Sequence, residues 1–154
     1  MHIDFGNVSM VDTQGTGWIV GFSEWVKTGG ANLRYMPQHA LAQTLCIKWF
    51  HHPQGDPHGS GKPLSEGRSI SFLVSAQGRF RLEFSEHTDF PAGHTVTHVL
   101  ATHGDFVMWG EGVYHRWFAE EASSILTVRW VPILPPRLET GEGKCCHTDH
   151  GVSF

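Results

Sequence analysis

The chain has 154 residues, 40% of them hydrophobic and only 17% charged, which is enough for one buried core and too little for two ordinary domains. Eleven Lys and Arg against fifteen Asp and Glu give a net charge of −4, which argues against nucleic acid or an anionic membrane as the main partner. No apolar run approaches the roughly 18 residues of a membrane span, and Met1-His2-Ile3-Asp4-Phe5 lacks the basic-then-apolar pattern of a secretion signal, so the expected location is the cytoplasm.

Taken in chain order, the pattern is one of short strands. Residues 17–26 are aromatic and β-branched and stop at Gly29-Gly30, a turn signal. Residues 41–50 form a second apolar stretch, helical or extended at its start and strand-like from Thr44 to Phe50. Residues 51–67, with three Pro and four Gly, read as a long loop of the kind that carries function. Residues 69–75 read as a strand, 76–78 as a hairpin turn, and 79–84 as its return. In the return, Phe80, Leu82 and Phe84 alternate with Arg79, Arg81 and Glu83, an apolar face against a charged one. Further strands are expected at 94–101, 106–109, 113–118 and 125–131, with turns at Gly110-Glu111-Gly112 and Glu120-Glu121. Pro132, Pro135 and Pro136 close the regular structure. The expectation is one domain over residues 1–136 and a polar tail over 137–154. So many short antiparallel strands without a long amphipathic helix imply an all-β sandwich or closed barrel.

Two counts bear on chemistry. Twelve His are far more than usual, and His is the commonest metal ligand. Three Cys, two of them the adjacent Cys145 and Cys146, fit reduced thiols better than a disulfide framework. Cys145, Cys146, His147 and His150 are zinc-ligand types, but no second cluster partners them at zinc-finger spacing.

The run from Gly104 to His115 resembles the second conserved motif of the cupin superfamily. That motif is Gly, five residues, Pro, one residue, Gly, two residues, His. Gly104, Gly112 and His115 match, Gly110 stands at the Pro position, and Ala119 replaces the trailing Asn. The first cupin motif survives only at its end, in the strand leading to Gly78. Counting back from Gly78, Ser71 falls where a Glu ligand belongs, and Leu64 and Glu66 (or Ser65 and Gly67) fall where two His ligands belong. The chain also resembles small uncharacterised bacterial cupin-like proteins. The resemblance implies a jelly-roll β-barrel with His115 pointing inward, where cupins place a metal ligand.

The site residues that follow are His115, Trp117 on the same strand face two positions on, and Glu66, Arg68 and Ser71. They would line a pocket for a small molecule, with no cofactor and no four-ligand metal. An alternative rebuilds a divalent-metal site from His115, Glu66 and His58, giving a dioxygenase or isomerase. A second is a metal-free epimerase acting on a sugar or carboxylate. Whether the chain is catalytic stays open. Arg116 is expected to be exposed, and Arg129 either pairs with a carboxylate or lies on a solvated face. Trp109, Trp130, Phe80, Phe84 and Phe106 are expected in the core. A homodimer is expected, built on the aromatic N-terminal strands that carry Trp18 and Trp25.

Overall fold

The computed structural model describes residues 1–22, 26, 33–37, 40–56 and 62–133. The expected tail, and with it Cys145 and Cys146, therefore lies outside the described residues, as do Trp25 and His58. Among the described residues there are ten strands and one 3-10 turn: β1 (Ile3–Asn7), β2 (Gly21–Phe22), β3 (Tyr35–Met36), β4 (Leu41–His52), β5 (Arg68–Leu73), β6 (Arg79–Ser85), β7 (Thr95–Leu100), β8 (Asp105–Trp109), β9 (Tyr114–Glu121) and β10 (Ser123–Ile133). Five of them form one sheet in the order β1-β8-β5-β10-β4, three form another in the order β7-β6-β9, and all of these pair antiparallel. The described residues are all-β, a single jelly roll of two facing sheets. No helix among the described residues is long and apolar enough to cross a membrane.

Strand alternation explains how the sheets meet. Phe80, Leu82 and Phe84 of β6 are buried against Leu73, Val107, Trp109 and Ile125 of the larger sheet. Arg79, Arg81 and Glu83 point the other way. There, Glu120 accepts from Arg79 and Arg81, and Glu83 accepts from Arg116 and pairs with Arg81. At the centre of the large sheet, on β5, β8 and β10, the alternate side chains are covered as well. Ile70, Phe106, Met108 and Trp130 pack under Leu33, Met36 and Ala40 from the N-terminal segment. A sheet covered on both faces explains why β8 is almost continuously apolar.

Several boundaries differ from the sequence reading. Of the expected strand at 17–26, the described residues contribute Gly21–Phe22, which pairs in parallel with β3, and Trp18 lies outside any strand. β1 was not foreseen; it completes the edge beside β8. β4 is extended from Leu41 onward because it pairs with β10 along nearly its whole length, interrupted by a bulge where Thr44 adopts φ 51°. The turn at Ala76–Gly78 does not close a hairpin. β5 stays in the large sheet while β6 crosses to the small one. Gly78 sits at that crossing, where a Cβ would come within 2.6 Å of Ser123 Oγ, so only a residue without a side chain fits. Glu120 and Glu121 belong to β9, and the chain reverses at Ala122.

The inward register of β6 has a measurable consequence. Leu82 is 2% exposed at the centre of the inter-sheet core, so Leu82→Ala should cost about 2–5 kcal/mol of stability. A urea midpoint equal to the parent's would contradict this packing.

Candidate functional site

The two sheets are filled unevenly. At one end Leu73, Phe84, Leu100 and Val107 close the interior completely. At the other, β5 and β10 turn Ser69, Ser71 and Thr127 inward, and these small side chains leave a cavity of about 310 Å³. Ser71 and Thr127 hydroxyls bond to each other at 2.8 Å across the β5–β10 ladder. The segment before β5 forms another wall. Ser65 exchanges backbone hydrogen bonds with Gly112 and Val113, and its hydroxyl accepts from Trp109 Nε1 at 3.1 Å. The Gly110–Gly112 turn thereby fixes both the entry to β9 and one side of the pocket.

β9 presents His115 and Trp117 to the cavity, and Tyr114, Arg116 and Phe118 to the opposite face. The His115 ring lies 4.8 Å from the Trp109 ring and 6.3 Å from that of Trp117. Its Nδ1 is buried without a hydrogen-bond partner among the described residues. Burial, together with the nearby positive charges of Lys62 and Arg129, lowers its pKa to about 4. His115 is therefore a neutral imidazole at pH 7, able to offer one donor and one acceptor.

His52 stands at the end of β4 and is also buried against the cavity, beside Phe80 and Trp117. Its Nδ1 lies 2.8 Å from Asp56 Oδ2. A carboxylate so placed accepts from Nδ1–H and holds the ring in one tautomer, an arrangement suited to proton transfer. Asp56 is in turn placed by reciprocal backbone bonds of residues 55–56 with Ala119.

Of the expected site residues, His115, Trp117 and Ser71 come together around the cavity. Arg68 and Glu66 do not. By alternation along β5, Ser69 and Ser71 face inward while Arg68 faces the outer layer, where its guanidinium donates to the carbonyls of Leu33 and Tyr35 at 2.8 and 2.6 Å. Arg68 pins the N-terminal cover instead of reading a ligand. Glu66 is exposed and outside the cavity wall, between Ser65 and Gly67, which are buried. The ionisable lining residues Lys48, His52, Lys62 and Arg129 are not among the expected site residues. The signal for Arg129 was present in the sequence, since it shares a period-two face with Ile125 and Thr127. Lys48 lies opposite Thr127 across the β4–β10 ladder, a register that no local pattern reveals.

A cupin metal centre takes about four donors, usually three imidazoles and a carboxylate. Here the described lining supplies two imidazoles, three cationic side chains and no carboxylate or thiolate, and His52 Nδ1 is already engaged by Asp56. No group of three or more His, Cys, Asp and Glu side chains could hold a metal ion among the described residues. The described residues do not make up a four-ligand centre; of the rearranged set Glu66 is exposed outside the cavity wall, and His58 lies outside the described residues.

No protein-family model and no curated protein matches this chain. Solved structures similar to it include dTDP-4-dehydrorhamnose 3,5-epimerase from Sulfolobus tokodaii, at 16% identity and TM-score 0.47, with 88% of this chain and 80% of that one covered. Another is a conserved protein of unknown function from Streptococcus pyogenes, at 22% identity and TM-score 0.44, covering 62% and 77%. A third is cobalt-bound HppE, at 12% identity and TM-score 0.43, covering 59% of this chain and 53% of that one. The chain spans about half the length of HppE.

The depressed pKa of His115 makes stability pH-dependent. The unfolded chain protonates this imidazole near 6.5, while the folded protein resists until about 4. The contribution is fully present above pH 6.5 and is lost as pH falls toward 4, at about 1.4 kcal/mol per pH unit and about 3 kcal/mol in all. Chemical denaturation between pH 7 and 4 should therefore show a shallower decline in His115→Gln than in the parent. Parallel declines would contradict the buried neutral imidazole.

Proposed function

We propose that the barrel binds a small organic molecule between its sheets, with His115 and Trp117 in contact with it, and does so without a four-ligand metal centre. The observation that carries this reading is the lining itself. A cavity of about 310 Å³ sits at the small end of the range for ligand pockets and joins aromatic walls to a few convergent polar groups, His52, His115, Ser71 and Arg129 among them. In a packed β-barrel such space is normally filled; here Ser69, Ser71 and Thr127 keep it open. Elemental analysis of protein purified without a histidine tag tests the metal side. The expected result is far less than one metal per chain in the parent and in His115→Ala alike. Stoichiometric metal in the parent, lost in the variant, would overturn the reading in favour of a metalloenzyme.

We also propose that two copies associate through β4. Among the described strands β4 is an edge of the large sheet, paired only with β10, and Leu41, Leu45, Ile47, Trp49 and Phe50 are 46–68% exposed. A long apolar edge invites strand addition unless covered. Antiparallel pairing of β4 with a second β4 about a two-fold axis would cover both edges at once. Burying these side chains in two copies removes roughly 1,000 Å² from water, near the minimum for a specific interface. The proposed interface is thus β4 and not a strand carrying Trp18, which lies outside any strand. Sedimentation should give twice the chain mass for the parent and the single chain mass for Ile47→Lys. A parent monomer at high micromolar concentration would contradict it.

A further inference from the structure

The chain is acidic, yet the cavity wall is not. Lys48, Lys62 and Arg129 line it, together with the imidazoles of His52 and His115, and no Asp or Glu side chain is among the described residues that face the cavity. Elsewhere the arginines are matched: Arg79 and Arg81 to Glu120, Arg116 to Glu83, Arg34 to Asp4, and Arg68 to two backbone carbonyls. Arg129, Lys48 and Lys62 have no carboxylate or hydrogen-bond acceptor among the described residues. Both lysines lean instead on aromatic faces, Lys62 Nζ 4.5 Å from the centre of the Trp117 ring and Lys48 Nζ 4.8 Å from that of Phe50 and 5.7 Å from that of Trp117.

We propose that this pocket selects molecules bearing an oxyanion, a carboxylate or a phosphoryl group, which Arg129 and Lys62 hold while the ligand's apolar body lies against Trp117, Phe80 and Leu82. The inference rests on the pocket reading above and gives it a ligand class.

Three cations share this partly enclosed space, Lys48 and Lys62 at its exposed rim, and a bound anion would offset their mutual repulsion. The surrounding Phe80, Leu82, Trp109 and Ile125 keep water back on one side, which strengthens each charge–charge contact. A guanidinium offers parallel N–H donors that match two oxygens of a carboxylate or phosphoryl group. Arg129 is also held by its backbone, since it sits mid-strand between β5 and β4, opposite Ser69 and Cys46. His115 adds polarity without a further positive charge, because its burial and the charges of Lys62 and Arg129 keep it neutral. An anion entering here meets two positive heads, a neutral imidazole and the Ser71–Thr127 hydroxyl pair.

The test uses matched probes on the full chain: 3-phenylpropanoate, 2-phenylethylphosphonate and the uncharged 3-phenylpropanamide, with affinity read by titration calorimetry. One or both anions should bind about ten- to a hundredfold more tightly than the amide, the range expected for hydrogen bonds to a charged group. Which of the two binds decides between carboxylate and phosphoryl recognition. Arg129→Gln, and independently Lys62→Met, should lower anion affinity at least about fivefold and amide affinity by a smaller factor. Arg79→Gln, on the outer face beside Glu120, should change neither. If the amide binds as tightly as the anions, or if both pocket variants bind the anions like the parent, the oxyanion assignment is wrong while the pocket reading stands. If none of the three probes binds, both fall.

Discussion

Contact between the two sheets through Leu73, Leu82, Phe84, Val107 and Trp109 is the constraint on which the remaining structure depends. These side chains close-pack at one end of the interior, and close packing there fixes the separation of the sheets everywhere. On β5 the inward series runs Ser69, Ser71, Leu73, from two small hydroxyls to one large apolar residue. With the separation fixed, the small residues cannot be compensated by collapse. The space over Ser69, Ser71 and Thr127 is therefore a consequence of the core beside it.

The same packing determines the electrostatics. β9 and β10 flank opposite sheets, and their inward faces carry His115, Trp117, Thr127 and Arg129 into one volume. Burial removes the hydration that would support an imidazolium, and Arg129 and Lys62 oppose it further, so His115 stays uncharged far below its ordinary pKa. Outside the barrel the opposite arrangement holds: Arg79, Arg81 and Arg116 meet Glu120 and Glu83. Among the described residues, the positive charge left without a carboxylate or carbonyl partner is gathered in the pocket, at Lys48, Lys62 and Arg129.

The sequence made the architecture legible where alternation was strong. Phe80, Leu82 and Phe84 fall on the core face as their period-two spacing implies, and the Gly104–His115 pattern places His115 inward. It was less informative where a residue's role depends on strands distant in the chain. Lys48 and His52 enter the pocket only because β4 pairs with β10 in one register, opposite Thr127 and Ser123. Arg68 and Glu66 sit beside the right strand, but alternation turns Arg68 to the outer layer and the buried Ser65 and Gly67 leave Glu66 outside. The N-terminal aromatic run reads as a strand by composition, yet most of its value lies in covering the outer face of the large sheet, through Val20 and Phe22 beside Met36 and Trp130.

The central claim is that the cation-lined cavity between the sheets is where a ligand sits. Proton–nitrogen NMR of the tryptophan indoles tests it directly, because Trp109 and Trp117 line the cavity while Trp18 and Trp49 are exposed on the surface. Titration with 3-phenylpropanoate or 2-phenylethylphosphonate should move the indole signals of Trp109 and Trp117, assigned by single Trp→Phe substitutions, and leave those of Trp18 and Trp49 in place. Shifts confined to Trp18 or Trp49 would contradict the account.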